Sequence, residues 1–203
     1  MTTAGVGGQM VDAVVETPKG SHNKLKYDAE RGAFRLGHVL PIGMTFPFDF
    51  GFLPGTEGGD GDPLDVLIFM DAPCPTGCIV DVRLIGVLEV EQREKTGEVV
   101  RNDRLIGVAK TSAVHASTQE LTDLAPAVLE EIEAFFEQYN RLDGKQFQVL
   151  HRRGSRAAAE VAARAAMPPH EAEVAADPSP GRCRDRRLGR RGSSGERQER
   201  PDE

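Results

Sequence analysis

The sequence predicts a mainly β domain with flanking helices (α+β), a small barrel or sandwich rather than a βαβ fold. Three observations carry this: short apolar runs at regular spacing with turn residues between them, one amphipathic helical stretch late in the chain, and a change of composition after Pro168. In order, residues 1–10 are small and Gly-rich and read as a disordered leader. Residues 11–16 read as a strand that ends at Thr17-Pro18-Lys19-Gly20. Strands follow at 24–27 and 34–40. Phe46, Phe48, Phe50 and Phe52 alternate at period two, the pattern of a strand burying one aromatic face, although a base-stacking surface would look similar. Residues 66–70, 79–90 (two strands or a bent one), 99–108 and 146–150 complete the β set.

Thr122 or Asp123 is placed to cap a helix, Pro126 suits its first turn, and Val128, Leu129, Ile132, Phe135, Phe136 and Tyr139 lie on one helical stripe. Alanine-rich 155–167 reads as a second helix. Beyond it, 168–203 is Pro, Gly, Ser, Arg and Glu with almost no large apolar residue, and reads as a disordered tail. The folded domain is expected over 11–167.

The length of 203 residues suits one domain plus an appendage, and 39% hydrophobic with 28% charged residues suits a globular core. No apolar run approaches the roughly 18 residues of a membrane span. The opening residues lack the basic and apolar regions of a secretory signal, and three cysteines fit a reducing cytoplasm. The eight arginines and eight acids of 171–203 cancel, so the net charge of −7 falls on residues 1–170. That acidity disfavours general nucleic-acid binding and leaves room for bound cations.

The informative segment is Gly58-Gly59-Asp60-Gly61-Asp62-Pro63-Leu64-Asp65-Val66-Leu67-Ile68. Three carboxylates within six residues repel unless cations neutralise them or one stays protonated. Gly61 and Pro63 interrupt regular pairing, so the three side chains can converge on one point. Oxygen-only donors select Mg²⁺ or Mn²⁺ over Zn²⁺. An EF-hand loop is excluded: counted from Asp60, the glycine position holds Asp65 and the final glutamate position holds Asp71. The bland alternative is a hydrated turn whose aspartates cap backbone N–H groups. Cys74 and Cys78 form no C-x-x-C pair and read as turn cysteines. The histidines show no zinc spacing, and no P-loop or G-x-S-x-G occurs.

The run Asp60-Gly61-Asp62-Pro63-Leu64-Asp65-Val66-Leu67 resembles the signature of soluble (family I) inorganic pyrophosphatases. Glu16-Thr17-Pro18-Lys19-Gly20-Ser21 with Lys24, the segment 46–52, Asp103-Arg104-Leu105-Ile106-Gly107-Val108, and Phe135-Phe136 with Tyr139 follow in the family's order. The resemblance implies a five-stranded OB-like barrel with about two helices. It also implies hydrolysis of pyrophosphate to two phosphates with Mg²⁺ (Mn²⁺ as substitute) in a homo-oligomer, while the composition adds the expectation of a cytoplasmic setting without membrane or nucleic-acid partners. By position, Asp60 and Asp65 would ligate metal, Asp62 would accept the proton of the attacking water, and Glu16 would stand in the outer metal shell. Lys24, Arg104 and Tyr139 would bind phosphate oxygens. The alternative function is a catalytically weak barrel that binds phosphorylated ligands or single-stranded nucleic acid.

The departures concern chemistry. Two family metal aspartates correspond to Asn102 and Gln92, which offer only neutral amide oxygens; Asp103, Glu91 and Glu94 stand nearby to compensate. The family's substrate arginine corresponds to His38, its two tyrosines to Phe46 and Phe50, and the lysine after the helix tyrosine to Asn140. Lys26 replaces a carboxylate.

Overall fold

A computed structural model describes residues 8–168. Its strands are β1 (Met10–Thr17), β2 (Asn23–Asp28), β3 (Ala33–Val39), β4 (Asp49–Phe52), β5 (Asp65–Phe69), β6 (Ile79–Arg93), β7 (Val99–Arg101), β8 (Arg104–Ala109) and β9 (Gln146–Gly154). Two helices, α1 (Pro126–Leu142) and α2 (Ser155–Ala165), complete the set. The hydrogen-bonded order β1-β4-β5-β8-β6 returns to β1 through a β1–β6 pairing, so five strands close a barrel. That is the OB-like architecture expected, mainly β with two α-helices.

Strand β6 makes closure possible. Its first half pairs Ile79–Arg83 with β1, and its second half pairs Gly86–Arg93 with β9. Register shifts at Leu84/Gly86 and Glu89/Val90 bend this 15-residue strand around the barrel, as bulges do. It is therefore the bent strand and not two. β5 and β8 run parallel and are covered on both faces, which is why they read as continuous apolar runs. Alternate residues feed two cores: Leu67, Phe69, Ile106 and Val108 pack with Leu129, Ile132 and Phe136 of α1. Val66, Ile68, Leu105 and Ala109 pack with Ala158, Val161 and Ala162 of α2.

Four expectations are corrected. The aromatic segment is a strand only at Asp49–Phe52; Phe46 instead exchanges backbone bonds with the 20–21 turn (Gly20 N to Phe46 O, 2.8 Å; Phe46 N to Ser21 O, 3.1 Å). The stretch 99–108 breaks at Asn102-Asp103, because the Asp103 carboxylate accepts from Val90 N–H (2.9 Å) and the Arg101 guanidinium (2.6 Å). Neither Thr122 nor Asp123 caps α1; Ala125 precedes Pro126 there, and Leu121–Asp123 forms a separate 3₁₀ turn. Met10 already belongs to β1, and the Gln9 carbonyl accepts from Leu84 N–H, so order begins inside the expected leader. The rest of that leader, 1–7, and 169–203 of the expected tail lie outside the described residues.

Candidate active site

A cleft of about 840 Å³ opens on one side of the barrel. Its first wall is the turn between β4 and β5. Thr56 Oγ1 donates to Leu53 O (2.6 Å) and accepts from Leu64 N–H (3.0 Å), while Gly58 N–H reaches Asp62 O (2.7 Å). Gly61 has φ +83°, which a side chain would strain, and a Cβ on Gly59 would lie 2.6 Å from the Arg101 carbonyl oxygen. These constraints turn Asp60, Asp62 and Asp65 toward the cleft.

The three aspartates do not converge on one point as the sequence suggested. Asp60 Oδ1 accepts from Asp62 N–H (3.2 Å), Asp62 Oδ2 meets Lys26 Nζ at 2.5 Å, and Asp65 pairs with the Arg104 guanidinium. Among the described residues no three His, Cys, Asp or Glu side chains gather as a ready metal cage. Each carboxylate has a cation or an N–H against it, which offsets the repulsion of its like-charged neighbours. Burial raises the Asp60 pKa above the usual value, with the Asp62 N–H bond opposing and the Asp65 charge reinforcing.

The facing wall is basic and aromatic. Lys24, on β2, is partly buried, holds Glu16 Oε2 at 3.2 Å and lies 3.9 Å over the Phe50 ring. Burial lowers its pKa, opposed by the charges of Glu16 and Asp65. Glu16 spends its other oxygen on Tyr27 N–H (2.7 Å). Lys26, half-exposed, is pulled down by burial, but its bond to Asp62 and the charges of Asp62, Glu16 and Asp65 outweigh that and raise its pKa.

Arg104 opens β8 opposite Asp65 in the parallel register. Its guanidinium also donates to Asn102 Oδ1, and its buried Nε has no partner among the described residues. Asn102 and Gln92 are buried side by side (Nδ2 to Oε1, 3.5 Å) and line the cleft as neutral oxygens. Tyr139 lines it from the helical stripe of α1, its phenol pushed up to about 12 by burial, with Asp143 adding to the rise.

His38 pairs across from Lys24 on β3 and meets the Tyr139 ring edge-on (centroids 6.2 Å), but it is not among the residues lining the cleft. Of the candidate substitutes for the missing acids, Asp103 is tied to Val90 and Arg101, whereas Glu94 lines the cleft beside Lys145 (2.9 Å). Lys145, Asp143, Glu98 and Glu57 are lining residues that sequence reasoning missed. Lys145 follows α1 by a few residues, and a search for a cation near the lost lysine position would have found it: Asn140 is buried and donates to Phe136 O (2.8 Å). Phe46 and Phe50 are only 2% and 3% exposed, so they serve the core and cannot stack bases.

The closed barrel and this cleft of opposed acids and cations define an OB-like barrel protein with a site for a small, highly charged ligand. The family model for inorganic pyrophosphatase matches residues 13–167. The inorganic pyrophosphatase of Geobacillus stearothermophilus is 38% identical over 153 residues, 75% of this chain and 90% of that one. That of Thermus thermophilus is 39% identical over 138 residues, 68% of this chain and 76% of that one. The crystal structure of inorganic pyrophosphatase from Thermus thermophilus superposes with a TM-score of 0.71 at 36% identity, covering 82% of this chain and 92% of that one. The chain belongs to the inorganic pyrophosphatase family.

Proposed function

We propose that this protein hydrolyses inorganic pyrophosphate to two phosphates with the help of Mg²⁺, Mn²⁺ serving as a substitute. The observation that carries the proposal is a single cleft joining Asp60, Asp62 and Asp65 to Lys24, Lys26, Arg104 and Tyr139. The donor chemistry fits the ion. Mg²⁺ keeps several waters and takes one or two carboxylates together with substrate phosphates, so it needs no closed protein cage. Asp60 and Asp65 would hold it, Asn102 could add a neutral oxygen, and Glu16 stands behind as an outer-shell acid. When bound, the metal supplies charge neutralisation for the polyanion and a more acidic water.

The chain's own residues then have distinct tasks in this reading. Lys24, held by Glu16 and the Phe50 ring, offers a fixed positive charge for phosphate oxygens. Arg104 carries a buried Nε without a partner among the described residues, a donor that a phosphate oxygen would satisfy. Asp62, half in water, can take the proton of the attacking water and pass it on. Tyr139, protonated through the whole working pH range, donates and never titrates there. Phosphoryl transfer asks for positioning and charge, which these groups supply.

Phosphate release from pyrophosphate, scanned over divalent cations, tests the proposal; release that EDTA leaves untouched would overturn the metal's part. Tyr139→Phe removes one neutral hydrogen bond and is expected to raise KM about three- to tenfold, on the order of one kcal/mol, without changing the shape of the pH profile. Asp60 predicts a pH effect of defined sign. Its raised pKa means the folded, metal-free protein gains stability below the unfolded value of 3.8 and loses it as pH rises through the raised value. Metal needs the carboxylate, so Mg²⁺ is expected to stabilise the fold more as pH rises across that window, read by thermal melts with and without Mg²⁺.

A cytoplasmic homo-oligomer belongs to the same proposal: Leu36, Val39, Ile42 and Leu142 are large apolar side chains left exposed. Light scattering after size exclusion measures it. No described helix is long and apolar enough to cross a membrane.

A further inference from the structure

Among the acid–cation pairs that line the cleft, the three that hold Glu16, Asp65 and Asp62 differ in burial. In the Lys24–Glu16 pair the side chains are 16% and 7% exposed, and in Arg104–Asp65 they are 7% and 22% exposed. Lys26–Asp62 is 49% and 50% exposed. The first two pairs are therefore held by desolvation and neighbours, whereas the third is free to open and close in water. Lys26 stands on the two-stranded β2–β3 ribbon, a separate sheet tied to β1 by the Thr17 and Glu16 side chains, and it reaches across to the turn that carries Asp62. The charges of Glu16 and Asp65 act on the same ammonium.

We propose that Lys26 is a tethered counter-ion for Asp62: its ammonium sits beside the Asp60 and Asp65 metal position, opposes a divalent cation there by charge, and moves onto a phosphoryl oxygen when pyrophosphate enters. This rests on the hydrolytic reading of the cleft and makes Lys26 a positioning residue for Asp62. A flexible four-carbon stem with a compact, fully charged head suits such a transfer between two nearby anions. The arrangement couples the two ligands. A phosphate group that draws Lys26 away leaves the Asp62 charge to favour metal at Asp60 and Asp65, and metal there repels the ammonium and frees Lys26 for phosphate. By linkage the two effects are equal in size.

Mn²⁺ binding, followed by the loss of the free-ion electron paramagnetic resonance signal, tests this without turnover. The probe for the second ligand is methylenebisphosphonate, a carbon-bridged diphosphonate that cannot be hydrolysed. Wild type is expected to bind Mn²⁺ weakly alone and more tightly with the diphosphonate. Lys26→Met is expected to bind Mn²⁺ alone about two- to fivefold more tightly, the range of one half-exposed ion pair. It should also lose most of the tightening that the diphosphonate brings. Lys26→Arg should restore the wild-type pattern, and raising the salt concentration should shrink the difference. Equal or weaker Mn²⁺ binding by Lys26→Met, with its melting temperature unchanged, overturns the role of Lys26. Failure of the wild type to release phosphate from pyrophosphate overturns the hydrolytic reading instead, and leaves the Mn²⁺ comparison standing.

Discussion

Asp62→Asn is expected to lower pyrophosphate turnover in Mg²⁺ by about 10²–10⁴-fold, the range that a positioned general base contributes. The substitution keeps the shape of the side chain and an oxygen that can still accept from Lys26. It removes the ability to take a proton together with the negative charge paired with Lys26. The Asp62 side chain is half in water and no backbone group depends on it, so the urea midpoint should stay within error of wild type. Asp65→Asn provides the contrast. It strips a buried arginine of its carboxylate while the other Arg104 partner, Asn102, is neutral, so turnover and stability should fall together. Steady-state phosphate release beside urea melts separates the two. Wild-type turnover in Asp62→Asn would remove Asp62 from the chemistry.

Gly51→Ala, a single methyl added to β4, should cost a large part of the fold's stability. Gly51 faces Val15 in the β1–β4 pairing, and an added Cβ would lie 2.1 Å from Val14 O, 2.9 Å from Val14 C and 3.2 Å from Val15 Cα. All three are backbone atoms, which cannot swing aside like the end of a side chain. The strands must separate, costing about 1–3 kcal/mol for overpacking and about 1 kcal/mol for each ladder bond lost. A total of roughly 3 kcal/mol or more is a large part of the ~5–15 kcal/mol that holds a domain together. Activity should fall as well, because β1 carries Glu16 and β4 carries Phe50, the two groups that fix Lys24. Gly37→Ala is the control: its Cβ would meet Lys24 O at 3.5 Å and Lys26 Cβ at 3.8 Å, ordinary contacts. Urea unfolding of the pair measures the difference, and equal midpoints would contradict the close approach at Gly51.

Particular residues show how far the sequence could be read. The aspartate run was legible because its repulsion is local: three carboxylates in six residues demand an explanation wherever the chain goes. The stripe Leu129, Ile132, Phe136 was legible because helical period and burial coincide. The extent of the aromatic strand was not. Phe46 has the right alternation, but its N–H and C=O bond to Ser21 and Gly20, and period two says nothing about which neighbour supplies the bonds. The break at Asn102-Asp103 was hidden for the same reason, since Val90 is the partner that enforces it.

The sequence alone determined the β-rich class, the two helices, the acidic turn and the amides at Gln92 and Asn102, since each follows from residue type and short-range spacing. Only the tertiary structure decided who neutralises whom. Lys26 on Asp62, Arg104 on Asp65 and Lys145 on Glu94 are separated by 36, 39 and 51 positions and meet only once the barrel closes. Ion pairing depends on distance through space, and a linear string of charges carries no record of that distance until the strands have set it.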